Sequence, residues 1–202
     1  MDACCEIHPL QERQRRVLRI VLWINLAMFA VEFGAGLVAH STALLADSVD
    51  MLGDAIVYGF SLYVIGKGTV WQTRGARLKG SIMAAFAVGI AVEVAFKLAR
   101  GVTPAFEIMS VVGIVALGAN VSVLALLWRH RSDDLNIRSA WLCSRNDVIA
   151  NAGVLLAALG VAVTGTPWPD IAVGSGIAAL FALSAVSVLR DVVRQPANPR
   201  VL

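Results

Sequence analysis

Six apolar stretches of bilayer-crossing length, joined by short loops, constrain this fold more than any other feature of the sequence. They cover residues 18–39, 43–66, 80–96, 108–128, 141–164 and 171–189. Crossing a hydrocarbon layer about 30 Å thick takes roughly 17 to 25 helical residues. Within that layer every backbone N–H and C=O needs a partner inside the segment, which a helix supplies and an open strand does not. The expected fold is therefore all-α, a polytopic membrane protein with six transmembrane helices. Composition agrees, with 58% hydrophobic and 15% charged residues against about 25% charged in soluble domains. Pro9, Pro104, Pro167, Pro169, Pro196 and Pro199 all fall outside the stretches, as befits a residue that interrupts helices. The expected organisation is a tail at 1–16, a six-helix domain at 17–190 and a second tail at 191–202.

Basic residues set the expected orientation. Arg13, Arg15, Arg16 and Arg19 precede the first stretch, and Lys67, Arg74, Arg77 and Lys79 lie between the second and third. Arg129, Arg131 and Arg138 lie between the fourth and fifth, and Arg190, Arg194 and Arg200 follow the sixth. The opposite side carries only Lys97 and Arg100. The positive-inside rule then places both termini in the cytosol, in a multi-pass protein of a bacterial-type inner (plasma) membrane. The net charge of +3 is spread over short loops without aromatic platforms, so nucleic acid is not an expected partner. The first stretch is long enough to span and has no cleavage site of small residues behind it, so it is not expected to be a secretory leader. Cys4, Cys5 and Cys143 are too few for a disulfide framework. The opening MDACCEIH places Cys4, Cys5, Glu6 and His8 together, as soft-metal ligands or simply as an unstructured end.

The chemistry concentrates in ALLADSVDMLGDAIVYG, where Asp47, Asp50 and Asp54 interrupt an apolar run. Asp50 and Asp54 are four apart and share one helix face, with about 5 to 6 Å between Cβ atoms. Two carboxylates that close in low dielectric cannot both stay ionised unaided. Either one holds a proton or a cation lies between them. The fifth stretch repeats the spacing, with Cys143 and Asp147 four apart and Asn151 a turn beyond. If the two helices face one another, Asp50, Asp54, Cys143 and Asp147 converge as three oxygen ligands and one sulfur. Such a set suits a tetrahedral divalent ion such as zinc, with cadmium or cobalt as alternatives, and the thiolate disfavours magnesium and calcium. Protons leave these groups on loading, so metal and proton compete.

Plainer readings stand beside these. Cys143 also suits a small packing residue, and Arg145 could neutralise a nearby carboxylate or snorkel to the cytosol. Glu32 and Glu93 read as helix packing or proton relay, with pairing to Lys97 the alternative for Glu93. Asp47 suits hydrogen bonding at the outer end of its helix. Asn25, Asn120 and Asn151 suit hydrogen bonds between helices.

The stretch STALLADSVDMLGDA resembles the second-span signature of the cation diffusion facilitator family, six-span exporters of zinc and related metals. LCSRNDVIANAGVLLAALGV is similar to the fifth-span counterpart, with Cys143 where histidine is usual. TGTPWPDIAVG resembles the entry to the sixth span, with Asp170 in place, and EVAFKLARGVTP resembles the third span and its following loop. The sequence departs from the family's common pattern of a cytosolic carboxy-terminal domain and a histidine-rich loop, and reads as a short form. The resemblance also implies a metal site at Asp50, Asp54, Cys143 and Asp147. To bring Cys143 and Asp147 inward to the depth of Asp50 and Asp54, the fifth helix is expected to start earlier than Trp141, near Leu135.

On this reading the protein is a secondary transporter rather than an enzyme. It exports a divalent metal as its substrate, zinc first with cadmium or cobalt possible, in exchange for protons, needs no organic cofactor, and works as a homodimer in the bilayer. The alternatives are an intramembrane metal-dependent phosphotransferase and a metal-binding membrane protein that does not transport. The phosphotransferase reading lacks the Asp-Gly and Ala-Arg pair usual in such enzymes, and four-apart aspartates on one helix are the wrong geometry for an aspartyl protease.

Overall fold

A computed structural model describes residues 12–64, 69–128 and 135–194. They form six helices and no strand: α1 Glu12–Ala39, α2 Thr42–Val64, α3 Thr69–Arg100, α4 Phe106–Trp128, α5 Leu135–Thr164 and α6 Trp168–Arg194. Four of them contain segments long and apolar enough to cross a membrane, Arg15–Ala39, Gly80–Arg100, Phe106–Trp128 and Ser144–Thr164. In α2 the three aspartates dilute an apolar helix of equal length, and α6 contributes the shorter apolar segment Trp168–Leu183.

Hydropathy located the helices but not their ends. α3 begins eleven residues before the apolar stretch at 80–96, because Arg74, Arg77 and Lys79 are good helix formers that hydropathy counts as loop. α1 likewise takes in residues 12–16, and α6 runs on to Arg194. α5 starts at Leu135, as expected. Pro169 is the second residue of α6, where its missing N–H and fixed φ cost nothing.

α1 packs along α2, α4 along α5 and α3 along α6; α2 also meets α3, α5 and α6 and so lies at the centre. Polarity is inverted relative to a soluble protein. Val38, Leu156, Val163, Leu180 and Leu183 are exposed, while Asn25, Glu32, Asp47, Asp54, Asn120, Asp147, Asn151 and Asp170 are buried. Apolar faces turned outward suit lipid, and ionisable residues within a bundle mark sites rather than packing.

At the end of the bundle opposite the two termini, one polar network ties four helices together. α1 closes with His40 at φ 50, and His40 N–H donates to Leu37 O while Ser41 N–H donates to Gly36 O, a helix cap whose left-handed residue is usually glycine. Ser41 then caps α2, its Oγ accepting from Leu44 N–H at 3.1 Å. Asp170 of α6 takes the next two orphan donors, Thr42 N–H at 2.8 Å and Ala43 N–H at 3.1 Å, and accepts from Ser41 Oγ–H at 2.6 Å. Its charge is balanced by the Lys97 ammonium at the end of α3, both side chains being buried, and Lys97 also donates to His40 O. Pairing with Lys97 is the alternative reading of Glu93. Lys97 turns to Asp170 instead, because that carboxylate is already fixed against the start of α2; Glu93 lines a cavity of about 330 Å³ beside it with His40, Lys97 and Arg100.

This network holds α6 very close to α2. A Cβ added at Gly174 would lie 2.7 Å from Thr42 C and 2.8 Å from Ala43 N, both backbone atoms, whereas one at Gly176 meets nothing within 4 Å. Gly174→Ala is therefore expected to destabilise the detergent-solubilised protein by about 1–3 kcal/mol through overpacking. Gly176→Ala is expected to raise stability by up to about 1 kcal/mol through helix propensity. Melting curves of the two variants side by side check the pair.

Candidate metal centre

Three of the four predicted ligands are described in full, and they meet where α2 crosses α5. Asp50 lies eight residues and Asp54 twelve residues into α2, about 12 and 18 Å along the axis at 1.5 Å per residue. Both therefore sit at membrane depth. Asp147, on α5, shares a side-chain hydrogen bond with Asp50 and lies within electrostatic reach of Asp54 and Asp47.

Asp54 is oriented by its own helix. Tyr58, one turn further on, donates its Oη–H to Asp54 Oδ2 at 2.6 Å, and both residues are buried. Sequence reasoning missed this partner, although its four-residue spacing on an acidic helix face was visible. Asn151 points its amide back along its own helix, donating to Asp147 O at 3.0 Å. Cys143 belongs to α5 four residues before Asp147, but its side chain lies outside the described residues, as do Cys4, Cys5, Glu6 and His8. Among the described residues no three acidic, thiol or imidazole groups form a ready coordination shell. What the helices bring together is a carboxyl pair with a third carboxylate in reach.

Several expectations for the surrounding polar residues need correction. Asn25 and Asn151 do not bond across helices; each donates its amide to the carbonyl four residues earlier, the local option open to a short polar side chain on a helix. Asn120 of α4 is buried with neither amide atom partnered. Asp47 does not hydrogen-bond at the end of α2, because Asp170 and Ser41 already occupy those donors. Arg145, by contrast, faces away from the carboxylates as expected: it is exposed and lies over the Trp141 ring, 5.7 Å from its centroid.

Residues 18–69 and 71–195 match the cation efflux transmembrane domain. The chain belongs to the cation efflux family, the cation diffusion facilitators. That family is one of cation efflux transporters, not of enzymes. Among curated cation efflux relatives, the metal cation efflux system protein CzcD of Cupriavidus metallidurans is 26% identical over 170 residues, 78% of this chain and 54% of that protein. The cadmium, cobalt and zinc/H(+)-K(+) antiporter of Bacillus velezensis is 26% identical, covering 88% of this chain and 61% of its own length. Zinc transporter ZitB of Escherichia coli is 28% identical, covering 93% of this chain and 64% of its own length. This cation efflux chain thus spans between about half and two thirds of the relatives it matches.

Proposed function

We propose that the protein exports a divalent transition metal of the zinc, cadmium and cobalt class from the cytosol, by proton antiport with alternating access around Asp50, Asp54, Cys143 and Asp147. The observation that supports this reading is the meeting of Asp50 and Asp147 across α2 and α5, with Asp54 in reach. A divalent cation entering there competes with protons for these three carboxyl groups, so loading and deprotonation are one event. The relatives named for zinc, and for cadmium and cobalt with H(+) and K(+), support the substrate class and the exchange. Both termini then face the cytosol, since the basic loops lie on their side, and the protein works as a homodimer in the inner (plasma) membrane.

Cys143 sets the expected selectivity. A thiolate among carboxylates softens the site and favours cadmium over zinc relative to an imidazole in the same place. Proteoliposomes containing the full chain, with a pH gradient imposed and the three metals in competition, are expected to accumulate metal against its gradient. Cys143→His is expected to shift preference from cadmium toward zinc by about tenfold, on the order of 1.4 kcal/mol. No accumulation under any gradient overturns the transport reading, and accumulation with an unchanged metal profile returns Cys143 to packing.

A further inference from the structure

A second pair of carboxylates lies beyond the candidate metal centre, and nothing among the described residues satisfies it. Glu32 of α1 and Asp47 of α2 are both completely buried. All four of their carboxylate oxygens, Glu32 Oε1 and Oε2 and Asp47 Oδ1 and Oδ2, lack a hydrogen-bond partner. The two groups lie within electrostatic reach of each other and of Asp50, and α1 packs along α2 over much of its length. Asp47 is five residues into α2, about 7 Å from its start, so it stands one turn nearer than Asp50 to the end where Lys97 and Asp170 meet.

A buried acidic pair costs several kcal/mol unless its charge and its lone pairs are both met. A proton on each carboxyl cancels the charge but leaves a buried O–H without an acceptor and further lone pairs without donors. A metal cation cancels the charge and accepts several oxygens at once. The set is all oxygen, so it holds a borderline-soft ion less tightly than a centre that includes a thiolate.

We propose that Glu32 and Asp47 form a second, weaker divalent-cation site, the station through which the ion passes between the Asp50, Asp54 and Asp147 centre and the non-cytosolic side. Occupancy there brings positive charge within reach of Asp50 and favours release of the ion held behind it. Because the station's affinity is lower, it empties outward. The proposal rests on the transport reading above, which places that side of the bundle outside the cytosol.

Cadmium binding to the purified full chain in detergent, by equilibrium dialysis, tests it. The parent protein is expected to bind in a tight and a weak phase separated by at least about tenfold in affinity, on the order of 1.4 kcal/mol. Glu32→Gln and Asp47→Asn, each near-isosteric, are each expected to take one weak equivalent from the total and to leave a tight phase. Asp50→Ala with Asp147→Ala is expected to remove the tight phase. In proteoliposomes the Glu32 and Asp47 variants are expected to lose maximal flux about tenfold, with the concentration for half-maximal flux changing far less. Weak binding of the parent kind in both variants overturns the station while leaving the transport reading intact. Loss of the tight phase together with the weak one in these variants also overturns it, since the two carboxylates then belong to a single site. A parent protein that binds no cadmium sinks both proposals.

Discussion

Asp50→Ala combined with Asp147→Ala is expected to abolish metal-dependent flux in proteoliposomes while leaving the folded protein at least as stable as its parent. The magnitude follows from the ligand count. Structural zinc bound by four protein ligands gains about 10–16 kcal/mol at neutral pH, so each ligand accounts for roughly 3 kcal/mol or about a hundredfold in affinity. Asp50 and Asp147 share one hydrogen bond, so their losses are not additive and either single substitution should already remove most of the activity. The expected stability has the opposite sign from a packing defect. Removing two acidic groups from a bundle that also buries Asp47, Asp54 and Glu32 relieves repulsion and desolvation together. Two measurements separate the readings: the metal-free melting temperature should hold or rise, and the upward shift produced by added zinc or cadmium should vanish. A variant that melts early without metal would make the pair structural. One that keeps its metal-induced shift would move the site elsewhere.

How much of this was legible beforehand depended on whether the cause was local. The six helices were readable because hydrocarbon thickness alone dictates the length of an apolar run, and their ends were not, because Arg74, Arg77 and Lys79 are as helical as the span they precede. Asp50 and Asp54 declared themselves by a four-residue spacing in apolar surroundings. That α5 would carry Asp147 to Asp50 was an expectation drawn from the repeated spacing and from resemblance, since no local rule states which helices face each other. Tyr58 obeyed the same spacing as the ligands but resembles any buried aromatic until its hydroxyl is seen on Asp54. The asparagines differ from the expected interhelical bonding because a carbonyl acceptor four residues back is available to Asn25 and Asn151 within their own helices. Asp170 stands in the sequence as a landmark whose role no local pattern gives. Its partners Ser41, Thr42 and Ala43 lie 127 to 129 residues away, a separation that only tertiary packing can bridge.

Lys97→Met is expected to be the most damaging single change outside the metal centre. Lys97 and Asp170 are buried together, and removing one member of such a pair leaves an uncompensated charge worth about 3–5 kcal/mol. Asp170 retains its donors from Ser41, Thr42 and Ala43, which soften that penalty but also prevent the carboxylate from moving away to water. The strain therefore falls on the start of α2, whose first two free N–H groups depend on Asp170 and whose later turns carry Asp47, Asp50 and Asp54. Asp170→Asn should cost less, because an amide still offers one oxygen to the helix while Lys97 keeps His40 O as an acceptor. Combining Lys97→Met with Asp170→Asn removes both charges, so the double variant should be more stable than Lys97→Met alone, a coupling of roughly 1–3 kcal/mol. Thermal unfolding of the four proteins in detergent measures it, and metal affinity on the same samples shows whether loosening the cap reaches Asp50. Strictly additive losses would mean that Lys97 and Asp170 act separately, and that α2 owes the position of its ligands to packing against α1 and α5 instead.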